Sequence, residues 1–459
     1  MSNAKTAMQQ IDERPLTGHQ RSLIAMTVVG NISEFFDLFL IGFVIALLMQ
    51  SPGWELTGLQ AGIIGAASGV GTVIGAIMWG RLADSFGRKT AFVSCIVVLV
   101  IFTALCLTVM PGQWLMLTLY RVGVCIGVGG LNITSIPFVQ EFVPSKQRGL
   151  LAGLTSVFIP LGIFLGSLAT KILGESLGWK GLVALGCIPV VLVAWAFFVP
   201  ESPRYLMSRG RVEDARKAYA WAMDIPVEEV GELPKYEQKQ TTSYGVIFSK
   251  YPKQLAIITF GSFCFILGSF TIQSWGQAIL SESFKFDIGT VAYLFMGVSL
   301  ADLLGRLGSA WISDHIGRRK TMLVWGILGG IGCLIAAFAS QIQGSSAGWI
   351  FFLGILIAMA FGDGAFGILN AFGSEQFPNE ARSTGLGLGY GIGATAKIFG
   401  PYLVGAMIGG GKPTPEVVFA PFIIFAVLLF VGAGIYMLAK ETKAIQLEDC
   451  LLYTSPSPR

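Results

Sequence analysis

Apolar residues in this chain gather into long, nearly unbroken runs. The first, 22-SLIAMTVVGNISEFFDLFLIGFVIALLM-49, is followed by eleven more. The twelve predicted segments are 24–49, 58–80, 90–110, 114–140, 149–171, 181–199, 254–280, 289–312, 321–340, 348–374, 383–409 and 417–438. A run of about 20 apolar residues crosses a bilayer as a helix, whereas barrel strands alternate over about 10 residues. The pattern therefore predicts an all-α membrane protein with twelve transmembrane helices. A polar stretch, 200–253, contains SRGRVEDARKAYAWAM, an amphipathic surface helix of mixed charge. The expected order is an N-terminal tail (1–23), a six-helix half (24–199), a central loop (200–253), a second six-helix half (254–438) and a C-terminal tail (439–459).

Composition agrees. Charged residues are 13% and hydrophobic residues 53% of 459, against about 25% charged in soluble domains; mean hydropathy is +0.69. The net charge of +4 matters less than its distribution. With the N-terminus placed in the cytoplasm, all but six of the 31 Lys and Arg residues fall on that side. Lys171, Lys180, Lys285 and Lys412 fall outside, and Arg121 and Lys397 lie within apolar segments. Basic residues favour cytoplasmic loops, so a multi-pass protein of the cell inner (plasma) membrane with both termini cytoplasmic is expected. No cleavable signal peptide is expected, because the first apolar run is too long and lacks a small-residue cleavage site. The final CLLYTSPSPR fits nothing before it and is expected to be non-native. The seven cysteines form no CxxC pair and the two histidines lie in polar segments, so no metal site and no cofactor is expected.

The halves repeat. WGRLADSFGRKTAFV at 79–93 matches AWISDHIGRRKTMLV at 310–324, and EFVPSKQRG at 141–149 matches EQFPNEARS at 375–383, with offsets of 230 and 234 residues. Two six-helix repeats are a transporter architecture, with substrate held near the bilayer midplane.

Ionisable side chains at membrane depth cost about 2.5–3.5 kcal/mol on insertion scales and mark functional sites. They are Glu34 and Asp37 on helix one, Arg121 on helix four, Asp302 and Arg306 low on helix eight, Asp363 on helix ten and Lys397 on helix eleven. Glu34 and Asp37, three apart, share a helix face. Lys397 suits either a structural pair with Asp363 or a carboxylate substrate. Asn132, Gln140, Gln273, Trp275, Gln277, Asn370 and Tyr390 complete a candidate pocket, or else act as polar glue between helices; Gln273 and Gln277 share a face. The glycines of 123-GVCIGVGG-130 follow no soluble strand. They are expected to let helices approach closely rather than to bind a nucleotide.

GRLADSFGRK, its echo ISDHIGRRK, the R-x5-G-x-GG run on helix four, PESPRYL at 200–206, EFVPSKQRG, SEQFPNEARS and KETK at 440–443 resemble the major facilitator superfamily. The branch they resemble is that of sugar porters and metabolite/proton symporters, including bacterial organic-acid carriers. The resemblance implies that Asp37 and Arg121 form a proton-coupling pair, with Glu34 one turn away. An arginine beside a dry carboxylate favours its ionised form, so moving the arginine would switch proton affinity. It also implies a cytoplasmic gate of Gly80, Asp84, Gly87, Arg88, Lys89, Glu141, Arg148, Glu201, Arg204, Asp314, Gly317, Arg318, Glu375 and Arg382. Gly80 is expected to permit close packing, and Asp84, Arg88 and Lys89 to pair with the opposite half. Departures weaken a hexose assignment: Ser156 replaces a Gln, helix seven reads LGSFTIQSWGQAIL without a QQ pair, and Asn370 replaces a Trp. The expected function is proton-coupled uptake of a small organic anion by alternating access of a monomer in the lipid bilayer, without nucleic acid. A sugar or polyol symporter, or a uniporter or efflux carrier of the same fold, is the alternative. No nucleophile–base pair or phosphate loop supports an enzyme.

Overall fold

A computed structural model describes residues 6–144, 159–233, 243–378 and 381–442. Among these residues the regular elements are helices, joined by turns and short irregular segments, with one isolated bridge between Thr6 and Glu232. The helices preceding the central loop are α1 (Ala7–Asp12), α2 (Gly18–Gln50), α3 (Gly58–Phe86), α4 (Arg88–Leu107), α5 (Trp114–Gln140), α6 (Ile159–Leu185) and α7 (Val190–Ala196). The loop contributes α8 (Pro203–Ser208), α9 (Val212–Met223) and α10 (Tyr244–Lys250). Then come α11 (Pro252–Glu282), α12 (Ile288–Ile316), α13 (Arg318–Ala339), α14 (Ala347–Ile357), α15 (Phe366–Glu375), α16 (Arg382–Gly393), α17 (Ala396–Ile408) and α18 (Pro415–Met437).

Eleven spans among the described residues are long and apolar enough to cross a membrane. They account for the twelve predicted segments, because Ile159–Ala196 reaches from the fifth into the sixth. Gly178, with φ of 61°, breaks that stretch between them.

The chain divides into two compact units: Met1–Leu40, Val70–Gly166 and Ser176–Lys239, and Ile41–Gly69, Ser167–Glu175 and Gln240–Arg459. In the first, α4 and α5 cross at the predicted small residues. A Cβ at Gly127 would lie 2.6 Å from the Cys95 carbonyl oxygen, and one at Gly123 would enter the Phe102 ring. The expected close packing at Gly80 is not found: its nearest neighbour would be Ile133 Cγ2 at 3.8 Å. Contact between α3 and α5 is made earlier, at Gly71 and Gly75, where the helices still run side by side.

The N-terminal tail, expected to be merely polar, is folded. Thr6 and Gln9 form a capping box on α1, satisfying donors that a helix start leaves open. Ala7 and Ile11 then pack on Tyr219, Ala220 and Met223 of α9 and on Val230. The apolar positions of α9 recur at helical spacing, and α1 covers part of that stripe.

In the second unit, the last turns of α2 and the first of α3 lie against α11 and α17. The carbonyl of Gln273 and the side chain of Gln277 fill the space beside Gly42, and Gly62 abuts Gly405. A π-helical turn, Ala358–Asp363, joins α14 to α15.

Candidate functional site

Asp37 sits on α2 and Arg121 on α5, 2% and 6% exposed. The Arg121 guanidinium donates to Asp37 Oδ2 at 2.7 Å and to the Asp37 backbone carbonyl at 2.7 Å. These are the distances of charge-assisted bonds. The second bond fixes the arginine to the helix as well as to the carboxylate. Gly186 closes the other side: a Cβ there would be 3.0 Å from Asp37 Oδ1. The expected pair is thus assembled, in a site where each charge depends on the other. Glu34 is also buried; one turn below, Asn31 accepts from Ser135 at 3.2 Å.

The charges of the second half are arranged otherwise than the sequence suggests. Arg306 is buried on α12. It donates to Asp302 at 2.9 Å and also to Asp363. Of the two alternatives for Lys397, the ion pair with Asp363 is not seen among the described residues; Asp363 bonds Arg306. The π-helical turn is the reason: it shifts helical phase and turns Asp363 toward α12. Gly305 makes room for it, packing directly on the Ala360 backbone. Lys397 is half-buried, its Nζ 5.6 Å from the centre of the Phe270 ring.

At the ends of both halves, the repeated motifs build one network twice. Gly87 and Gly317, at φ of 106° and 99°, join α3 to α4 and α12 to α13. Each new helix start is capped by a distant glutamate. Glu201 accepts from the Lys89 and Thr90 backbone N–H at 2.9 and 3.1 Å. Glu441 accepts from those of Arg318 and Arg319 at 2.9 and 3.1 Å. A carboxylate there meets both open donors and the positive end of the helix dipole. Arg88 reaches Asp84 at 2.7 Å and Glu141 at 3.6 Å; Arg318 reaches Asp314 at 2.7 Å and Glu375 at 3.7 Å. Ser202 donates to Glu141, and Thr442 to Glu375. Each of these pairs closes within its own half.

Burial pushes the Glu141 carboxyl up to about 7, outweighing the nearby Arg88 and Arg204. Arg204 is otherwise exposed, Arg382 is half-buried, and Arg148 lies outside the described residues. Ser202, Glu441 and Thr442 were not anticipated. Their signal is the pairing of Glu201-Ser202 with Glu441-Thr442, 240 residues on and close to the offset of the other repeats.

The sequence profile described as "Sugar (and other) transporter" matches residues 23–450. The chain belongs to this family. It is 27% identical over 448 residues to the niacin transporter NiaP of Acinetobacter baylyi, covering 96% of this chain and 99% of the relative. It is 26% identical over 445 residues to the 4-hydroxybenzoate transporter PcaK of Pseudomonas putida, covering 95% and 96%. The partially occluded, inward-open xylose transporter XylE of E. coli superposes with a TM-score of 0.73 at 20% identity, covering 94% of this chain and all of that one. The fold is that of the major facilitator superfamily, and the protein is a multi-span membrane transporter, not an enzyme.

The predicted pocket residues of this transporter are only partly gathered. Gln273, Trp275 and Gln277 are buried on α11. Trp275 donates to the Pro401 carbonyl at 3.1 Å, tying α11 to α17. Gln277 Oε1 has no hydrogen-bond partner among the described residues. Tyr390 is half-buried and Asn370 exposed. The Asn132 side chain lies outside the description.

Proposed function

We propose that this transporter takes up a small organic anion, an aromatic-acid-like carboxylate, together with a proton. The observation that carries this reading is the buried Asp37–Arg121 pair, in which one carboxylate is matched to one guanidinium on two different helices. Protonating Asp37 would release Arg121 from its carboxylate. Proton binding is thereby linked to a change in how α2 and α5 are held together. Substrate and proton then move together through alternating access.

The anion is supported by relatives that carry the acids niacin, 4-hydroxybenzoate and gallate. Lys397 supplies the matching positive charge near Phe270. The networks around Gly87 and Gly317 serve as the cytoplasmic gate, with both termini on that side of the inner membrane. The six-helix halves span 24–199 and 254–438.

The test is uptake of radiolabelled aromatic acids into proteoliposomes with and without an imposed pH gradient. The gradient is expected to drive accumulation. Asp37→Asn is expected to abolish accumulation while retaining exchange of substrate for substrate. Gradient-independent uptake by the unaltered protein would overturn proton symport. Unchanged uptake of every accepted acid by Lys397→Gln would overturn the anion assignment, and accumulation of sugars instead would replace it.

A further inference from the structure

In the first half Arg121 bonds the side chain of one carboxylate; in the second Arg306 bonds two. Asp302, Arg306 and Asp363 are 0%, 7% and 5% exposed. With both acids ionised, the cluster would carry an uncompensated negative charge inside a membrane-spanning helix, α12.

Among the described residues no other charged side chain bonds the cluster, and α18, which packs on the π-helical turn through Leu429, has its only charge, Glu416, in its first turn. On the elements packed around the cluster, α11 carries Lys253 and Glu282 only at its two ends, and α13 carries Arg318, Arg319 and Lys320 only in its first turn. The segment α14 carries none, and α15 has only Glu375, which is engaged by Arg318. The remaining titratable groups on α11 and α13 are the thiols Cys264 and Cys333. The groups touching the cluster are neutral: the Phe366 ring, 5.7 Å from the Arg306 guanidinium carbon, and the Ser309 hydroxyl, which donates to the Arg306 and Gly364 carbonyls.

A second observation points to the missing component. Asp302 Oδ1 accepts from Arg306, but Asp302 Oδ2, fully enclosed, has no hydrogen-bond partner among the described residues. The two carboxyls are brought together by the one guanidinium that bonds both. As carboxylates, neither can donate to the other. One added proton would supply that donor and cancel the excess charge, as happens when two carboxylates share a site.

We propose that Asp302 and Asp363 hold one exchangeable proton between them, giving the second half a proton site of its own. The proton forms an O–H bond on one carboxyl and is returned to water when the cluster opens. The π-helical turn ending at Asp363 is the element whose shift would open it; such turns recur at functional sites. A metal cation fits poorly, because it needs several oxygen ligands and Arg306 occupies one side. Among the described residues, no group of three metal-ligating side chains occurs. This inference adds to the proposed symport but is tested without substrate or gradient.

The experiment is infrared spectroscopy of purified transporter across a pH series, reading the carbonyl stretch of protonated carboxyls and its shift in D2O. The unaltered protein minus Asp302→Asn is expected to show one such band, which fades as pH rises. Asp363→Asn, as a second variant, is expected to lose the same band. Circular dichroism checks that each variant is folded. Retention of the full signal in a folded variant, or a band that persists at every pH, would overturn the proposal. So would stabilisation by sodium chloride but not by choline chloride, which would indicate a sodium site. Loss of pH-driven uptake with the band intact would sink the symport reading alone.

Discussion

The two halves of this transporter agree at their ends and differ in their middles. Around Gly87 and Gly317, the same acid, arginine and glutamate cap recur with distances matching to within about 0.1 Å. In mid-helix, Arg121 is paired with one carboxylate, whereas Arg306 is paired with two. The difference separates two kinds of constraint. Joining two helices at a tight turn leaves the same open donors in either half and has the same solution. Charge placed within a helix bundle has no such structural necessity, so each half reflects its own task.

The largest effect is expected from removing the arginines. Taking one partner from a buried pair costs about 3–5 kcal/mol. Arg306→Ala leaves two carboxyls without it and Arg121→Ala leaves one, so Arg306→Ala is expected to lower the thermal midpoint further. The reverse order in detergent melts would break the contrast between the middles. Smaller effects are expected at the ends. Glu201→Gln and Glu441→Gln each weaken a charged helix cap, costing about 0.3–2 kcal/mol, and are expected to be equal. Clearly unequal losses would show that the repeated networks are not equivalent.

The smallest effect concerns Glu141. Its carboxyl is raised from 4.5 to about 7, so the folded half holds this proton more tightly than the unfolded chain does. The resulting stabilisation is complete below the ordinary carboxylate value and is lost as pH rises through about 7. Glu141→Gln is expected to flatten that part of the pH–stability curve. An unchanged slope would place the titration elsewhere.

Much of this was legible in the sequence. Long apolar runs gave the spans, because bilayer thickness leaves few alternatives. Motif spacing brought Asp37 to Arg121, and internal repeats located Glu141 and Glu375. What escaped depends on details that periodicity cannot carry. Asp363 was one possible partner for Lys397, and the π-helical turn that ends at Asp363 has no signature in the apolar pattern. Asp302 and Arg306 were legible as charges at membrane depth, but not that one guanidinium would hold both Asp302 and Asp363. Glu441 was part of a recognised motif, but its role as a cap appears only when the helix start it serves is located in space. The α1–α9 contact was hidden because six residues of helix give a weak apolar signal, and the stripe they cover lies on the far side of six membrane segments.

That contact also orders events during synthesis. Ala7 leaves the ribosome 225 residues ahead of Glu232, yet its backbone N–H bonds the Glu232 carbonyl at 2.9 Å. Translation at about 5–20 residues per second separates the two by tens of seconds, during which every segment of the first half must enter the bilayer. The N-terminal helix can dock only when that insertion is done. Its seating therefore marks the moment at which the first half is complete, before most of the second has been made.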